Sequence, residues 1–428
     1  MPRKIESRSL NASVYSLLNA IRNSQSYDYQ NRVPVATQET LKDVGNAILT
    51  SYDLENAFLS ALVNRIALVE VKSKQFNNAL RRFKRGYLEH GEFIEEVFVS
   101  IAKAHLYDVD TAEKEYAKRE IPDVDTYFHR INYKNFYKTT VEHDELRRAF
   151  LSEMGVIDLV ARINESLTNG ANYDEFVIMK NMIVDAVKNG KMYPVTIPEP
   201  NAENAHAIIT EIKGISNSII FPSTKYNAAG VLNFTPREKQ VLILSAKFDA
   251  VQDVNVLASA FNMDKAEFMG MRVIIDDFAD LVGVPAVLVS EDWWMIYDNV
   301  LRFEEFRNPQ GMYWNYFLHV WKTFGISPFE NAIVFTTETN AVTSVTVTPE
   351  TAEVIKGNSL QMNATVATTG YISKDVIWSV EGAAATVSTI NENGLLVVSI
   401  NEANTNLTVT ATSKADGSKK GTSTITVK

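Results

Sequence analysis

The chain has 428 residues, 46% of them hydrophobic, with 52 acidic against 42 basic side chains, a net charge of −10 and no cysteine. A single hydrophobic core seldom grows past roughly 250–300 residues, so two or three domains are expected. The acidity argues against a protein whose main work is gripping nucleic-acid phosphates, and the lack of cysteine excludes disulfides, thiolate nucleophiles and cysteine-ligated zinc together.

The first forty residues are polar and lack a long apolar period. Tyr27, Tyr29 and Pro34 lie in a stretch expected to be irregular, and residues 1–40 read as an arm. Met1–Gln25 holds no apolar run of signal-peptide length, and nowhere do about 18 apolar residues follow one another. A soluble chain without a cleaved signal, and without a wall anchor after the strand-like GTSTITVK, is expected. Over 41–69, Val44, Ile48, Tyr52, Leu54, Phe58, Leu62, Val63 and Ile66 approximate helical spacing and predict one helix, followed by the strand-like ALVEVKSKQF.

Between 72 and 130 the charges segregate. Lys72, Lys74, Arg81, Arg82, Lys84 and Arg85 are interleaved with Phe76, Leu80 and Phe83, and Glu89, Glu92, Glu95 and Glu96 begin an acidic limb. So charged a stretch with so little helical period reads as an extended excursion. It is either a solvated loop or an arm whose basic limb meets an acidic limb on a neighbouring subunit, and the two are compatible. Two punctuated helices come next. Leu146, Phe150, Met154, Ile157, Val160 and Leu167 keep one face up to a stop at Asn169-Gly170, and a second helix starts at Asn172 with Glu175 in a capping box. It carries Phe176, Met179, Ile183 and Val187 to a stop at Asn189-Gly190.

From 193 the pattern is mixed α/β. MYPVTIPEP reads as a strand and NAENAHAIITEIKGI as a helix, KQVLILSA as a buried strand before the helical DVNVLASAFN, and MRVIIDDF and PAVLVS as two more strands. Trp293–Phe329 packs twelve aromatics into thirty-seven residues, a density that fits a core or a subunit interface. FENAIVFTT closes this unit before a threonine-rich join, TTETNAVTS. Beyond it the chain is all short strands with turn residues between them: VTSVTVTP, AEVIKGNSLQMNATV, DVIWSV, ATVST, GLLVVSI, LTVTAT and GTSTITV. Leu360, Met362, Ala364 and Val366, and again Val376, Trp378 and Val380, alternate at the strand period and predict a β-sandwich with Trp378 in its core. This module holds 7 acids and 6 bases, a net −1, so the acidity belongs to the first 340 residues.

No catalytic constellation is present: there is no H-E-x-x-H, Walker, G-x-S-x-G or dinucleotide motif. The histidines at 90, 105, 129, 143, 206 and 319 lack metal-ligand spacing. Asp276-Asp277 could serve a glycosidase as paired carboxylates, but neighbours on a strand point to opposite faces. Trp293, Trp294, Trp314 or Trp321 could form a sugar platform, a weaker reading than core or interface.

The strand strings from Val342 closely resemble the bacterial immunoglobulin-like group 2 domain, which decorates adhesins, secreted glycosidases and phage head and tail proteins. NAIRNSQ, LRRFKRGYLEHGEFIEEVF, TYFHRINYKNFYKTTV, FDAVQDVNVLASAFNMDKAEF, VIIDDF, AVLVSEDWWMIYDNV and RNPQGMYWNYFLHVW look like the major capsid proteins of phi29-like podophages, over nearly the whole chain and least between about 195 and 240. The resemblance implies an α+β, HK97-like capsid fold over residues 1–340 followed by an immunoglobulin-like sandwich over 342–428. Within the first part it implies an N-arm (1–40), an E-loop (about 68–130), spine helices of a P-domain (144–190) and an A-domain (about 193–290).

The implied function is geometric, namely self-assembly into the hexamers and pentamers of an icosahedral or prolate head around double-stranded DNA, with the C-terminal domain on the outside. No catalytic, cofactor-binding or metal-ligating residue and no enzymatic activity are expected. The implied partners are further copies of the chain, a separate scaffolding protein, the portal or connector, head fibres, DNA enclosed without specific binding, and weak contact with host-surface glycans, with no membrane. The chain would reside in the virion shell, and in the host cytoplasm during assembly. A surface adhesin or glycan-binding protein is the second reading, and a secreted glycoside hydrolase the third.

Overall fold

The structure, a computed structural model, describes residues 14–37, 39–51, 53–58, 61, 76–88, 93–102, 104, 119, 121–144, 153–201, 203–255, 271–383 and 388–428. Helices α1 (Val14–Ser24), α2 (Tyr27–Arg32) and α3 (Leu41–Thr50) form an N-terminal helical layer. The stretch expected to be irregular around Tyr27 is therefore helical. Its six residues are too few to show a period, but Ser26 caps the first turn, Arg22 donates to the carbonyls of Gln30 and Val33, and Tyr29 is buried. Nor is 41–69 one helix, because Ser51 turns to extended backbone and its carbonyl accepts from Glu55 to start a new turn. Residues 62–75, which hold all but the last residue of the strand expected over 67–76, lie outside the described residues.

The helical layer covers one face of a sheet ordered β1 (Gly86–Tyr87), β9 (Trp294–Asn308), β10 (Tyr313–Ile326) and β4 (Tyr133–Glu142). Alternation along β10 sends Trp314, Tyr316, Leu318 and Val320 inward against Leu18, Ile21, Val44 and Ile48. A separate antiparallel ribbon joins β2 (Phe93–Val99) to β3 (Val124–Arg130).

Helix α4 (Glu153–Lys188) is a single helix of 36 residues. At 1.5 Å per residue it is about 54 Å long. The stop expected at Asn169-Gly170 is not used, and Glu175 caps nothing. A Cβ on Gly170 would stand 3.2 Å from the Tyr137 ring, so the glycine admits β4 to the helix instead of ending it. Asn189-Gly190 is a real stop. Gly190 has φ +62, its N–H reaches Val187 and that of Lys191 reaches Ala186, the paired bonds of a Schellman turn.

A second sheet runs β5 (Tyr193–Thr196), β11 (Ala332–Thr336), β8 (Ala286–Ser290), β6 (Gln240–Ser245) and β7 (Met271–Ile275). Its strand β11 comes from beyond residue 290 and lies between β5 and β8. VLIL, which reads as a buried strand, is buried throughout, and so are AVLV and AIVF, as strands covered on both faces must be. Met179, Ile183 and Val187 of α4 cover one side with Val241, Ile243 and Val287. Ile208 and Ile212 of α5 (Ala205–Ser218) and Phe248 of α6 (Ala246–Asn255) cover the other with Leu242, Leu288 and Ile333.

The C-terminal module is a sandwich of short sheets. Strands β12 (Ala341–Thr348) and β15 (Asn363–Thr369) pair; β13 (Thr351–Val354), β20 (Lys420–Val427), β19 (Asn406–Ser413) and β16 (Val376–Glu381) make a second sheet; β14 (Ser359–Gln361), β18 (Leu395–Val397) and β17 (Thr389–Ile390) a third. Met362, Val366, Leu396, Leu407, Val409 and Ile425 fill its core. Trp378 faces inward as its alternation requires but is only half-buried, at the margin of that core, with its ring lying against Gly394. Residues 384–387, which include the first three of the expected strand ATVST (385–389), lie outside the described residues.

Candidate assembly surfaces

The base of the charged excursion is fastened to its own subunit. Leu80 and Phe83 enter the core beside α4, with Phe83 stacked on Trp294 at 6.0 Å, and β1 pairs parallel with β9 at Tyr297 and Asp298. This places Lys84 between Glu175 (3.0 Å) and Asp298 (2.6 Å), while Lys322 of β10 reaches the same two carboxylates and Asn78 donates to the other oxygen of Glu175. Two lysines and two acids thus close a neutral cluster around a glutamate whose side chain is 1% exposed. Arg85 donates to the carbonyl oxygens of Trp294 (2.9 Å) and Asp292 (2.5 Å) and approaches the Asp292 carboxylate at 3.6 Å. The reading of residues 81–85 as a limb seeking acids on a neighbour is corrected for Lys84 and Arg85, because folding brings Glu175 of α4 and Asp298 of β9 to Lys84, and Asp292 of the turn before β9 to Arg85. Arg81 and Arg82 remain exposed, and Lys72, Lys74, Glu89 and Glu92 lie outside the described residues.

The β2–β3 ribbon has an attached face and an open one. On the attached face Glu96 accepts from Ser327 Oγ at 2.5 Å and lies 3.0 Å from His129 Nε2, and Phe98 stacks on Phe329. Gly325 leaves the room that the His129 ring occupies. Close by, burial pushes the Glu330 carboxyl above its ordinary value and the charges of Asp292 and Glu96 add to this, against hydrogen bonds from Ser290 and Asn233. Cross-strand partners share a face, so Phe93, Val97, Val99, Val124 and Phe128 all point the other way. Phe93 is 64% exposed and Phe128 58%. A two-stranded ribbon with such a face is marginal in water unless something covers it.

The outer face of the β9–β10–β4 sheet is also aromatic. Phe136 meets Phe317 edge-on at 5.8 Å, His319 stacks on Phe317 at 6.1 Å, and Lys134 and Lys138 stand over Trp321 and Phe317. Of the tryptophans weighed as a sugar platform, Trp293, Trp294 and Trp314 are buried, and Trp321 alone is open, at 38%. The three buried ones are core residues. Asp276 and Asp277 follow β7 in a bend, so they do converge, against the strand-based expectation, but on Lys180 of α4, at 2.8 and 2.9 Å. Among the described residues no three His, Cys, Asp or Glu side chains gather as a metal site would require, and no helix is long and apolar enough to cross a membrane.

A long helix laid across a β-sheet, a sheet sandwiched between helices and a two-stranded ribbon make up the HK97-like capsid fold, and solved structures share it. A chain in the capsid structure of Staphylococcus phage Andhra matches with TM-score 0.52 and 14% identity over 63% of this chain and 86% of that one. A chain in the structure of head fiber and inner core protein gp22 of native bacteriophage P68 matches with TM-score 0.50 and 15% identity over 63% and 87%. The family model of the phi29-like phage major capsid protein matches residues 18–336, and that of the bacterial Ig-like domain (group 2) residues 341–425. Curated major capsid proteins of Bacillus phage B103 and Bacillus phage PZA are 39% and 38% identical, each over 93% of this chain and 89% of their own length. That of Streptococcus phage Cp-1 is 30% identical over 74% and 92%. The chain belongs to the phi29-like phage major capsid protein family, and it forms the shell of a phage head.

Proposed function

We propose that the shell is built by the open face of the β2–β3 ribbon lying on a neighbouring subunit, repeated around hexamers and pentamers. The observation that carries this reading is the row Phe93, Val97, Val99, Val124 and Phe128, five apolar residues on one face, all of them exposed among the described residues. In this assignment residues 1–40 are the N-arm, about 68–130 the E-loop, 144–190 the P-domain spine and about 193–290, with β11, the A-domain, while 342–428 is a separate domain on the outer surface. The role needs no catalysis, cofactor or metal. A separate scaffolding protein, a portal or connector and head fibres complete the partners, and DNA is enclosed without being gripped, in keeping with the net charge of −10. Weak contact of the outer domain with host glycans belongs to the same proposal.

The test is electron microscopy of the expressed chain with and without a co-expressed scaffolding protein. Closed shells that depend on the scaffold are expected. Particles that form equally well when Phe93 and Phe128 are replaced by serine would overturn the ribbon's role.

A further inference from the structure

We propose that the immunoglobulin-like module is an internal brace, which clips three separate segments of the α/β part of its own chain together and holds a fixed angle to it. The first segment is the end of α4. Lys191 Nζ lies 2.8 and 3.2 Å from the two oxygens of Asp375, and a Cβ on Gly190 would stand 2.5 Å from Ser373 Cα, so the two backbones touch. The second is the turn at 228–230, where Lys414 Nζ donates to the carbonyls of Ala228 (3.0 Å) and Ala229 (2.9 Å). The third is the turn before β8. There the Tyr371 hydroxyl accepts from Val282 N–H at 2.9 Å and donates to the Val282 carbonyl at 3.0 Å.

These segments leave the α/β part from different elements, and one module holds all three. The join does not act as a tether either. Thr337 N–H bonds to the Gly283 carbonyl at 2.8 Å, and Asn340 donates to Thr196 Oγ1 while accepting from Tyr371 N–H at 2.7 Å. A free decoration needs a solvated linker and few crossing contacts. Here backbone groups on both sides are satisfied across the boundary, so separating the parts would expose several donors and acceptors at once. Because one contact sits on the Schellman turn of α4, a movement of that helix end is passed to the module.

The chain has no cysteine, so paired labels can be introduced cleanly on the full-length unassembled protein, at Glu211→Cys on α5 and Lys356→Cys on the module. Spin-label distances should give one narrow distribution. The variant Tyr371→Ala/Asp375→Lys/Lys414→Ala, altered on the module side only, should broaden it. Amide exchange at 190–196, 226–231 and 281–284 should rise about tenfold in that variant, with β19 and β20 unchanged as the control for module folding. A broad distribution in the unsubstituted chain overturns the brace by itself. So does a triple variant with unaltered distances and exchange.

Discussion

Lys322 of β10 and Glu175 of α4 meet where neither reaches solvent, with side chains 8% and 1% exposed. Burying one carboxylate is tolerable here because Lys84 shares it and Asp298 balances the second lysine. Removing one partner of such a cluster strands the others, at a cost of about 3–5 kcal/mol. Glu175→Ala should therefore lower the melting temperature of the unassembled subunit sharply. Glu175→Leu combined with Lys322→Met should be less harmful than either change alone. Additive losses in that pair would show that the two side chains do not act on each other.

The base of the excursion can be divided by charge reversal. Arg81→Glu with Arg82→Glu alters exposed positions and should leave subunit stability within about 0.5 kcal/mol. Lys84→Glu places a third acid against Glu175 and Asp298 and should cost about 3 kcal/mol or more. Denaturant titration of the two variants separates a contact made within the subunit from one made between subunits. Equal stabilities would contradict the contacts of Lys84.

The open face of the ribbon predicts the reverse pattern. Phe93→Ser with Phe128→Ser removes exposed apolar area, so the isolated subunit should be no less stable, within about 0.5 kcal/mol, while shell yield collapses. Calorimetry of the subunit and particle counts from the same preparation give both numbers. A destabilised subunit would mean that these rings are covered within their own chain.

What was legible in the chain follows from the range of the forces involved. A period of two with one buried face is local, so the alternation from Leu360 to Val366 and from Val376 to Val380 identifies the sandwich, and the continuous run VLIL identifies a buried strand. Helix continuity at Gly170 is not local. It is decided by Tyr137 arriving from β4, which no pattern within the helix encodes. The role of Glu175 is hidden for the same reason, since Lys84 and Lys322 lie 91 and 147 positions away and its place after Asn172 imitates a capping box. The basic run at 81–85 reads as a solvated limb because charge runs usually are, yet Lys84 and Arg85 are claimed by α4 and β9.

Glu330 supplies a pH dependence with a definite sign. Burial, helped by Asp292 and Glu96, raises its folded-state affinity for a proton above that of the unfolded chain. Ionisation at neutral pH therefore costs stability, and the cost is relieved as pH falls through the raised folded value toward the ordinary 4.5. Glu330→Gln should melt higher than the unsubstituted chain near pH 7.5, with the gap shrinking on acidification to about pH 5. Melting curves across that window check it. A gap that widens on acidification would reverse the assigned direction.

Trp378 sets the scale of the module's margin. Its ring lies over Gly394, where a Cβ would stand 3.0 Å from it, and its strand pairs with β19 through Ala411. A fully buried tryptophan replaced by alanine costs about 3–5 kcal/mol, and a half-buried one at the edge of a core should cost roughly 2 kcal/mol. For a domain of this size each kcal/mol moves the midpoint by about 4–8 °C, so Trp378→Ala should lower the module's transition by roughly 10 °C and leave shell assembly intact. Amide exchange in β19 and β20 of the full-length chain, followed against temperature, isolates that transition from the rest of the protein. An unchanged midpoint would mean that the ring only covers Gly394 without stabilising the sheet beneath it, and a loss of assembly would mean that the module contributes to the lattice as well as to its own chain.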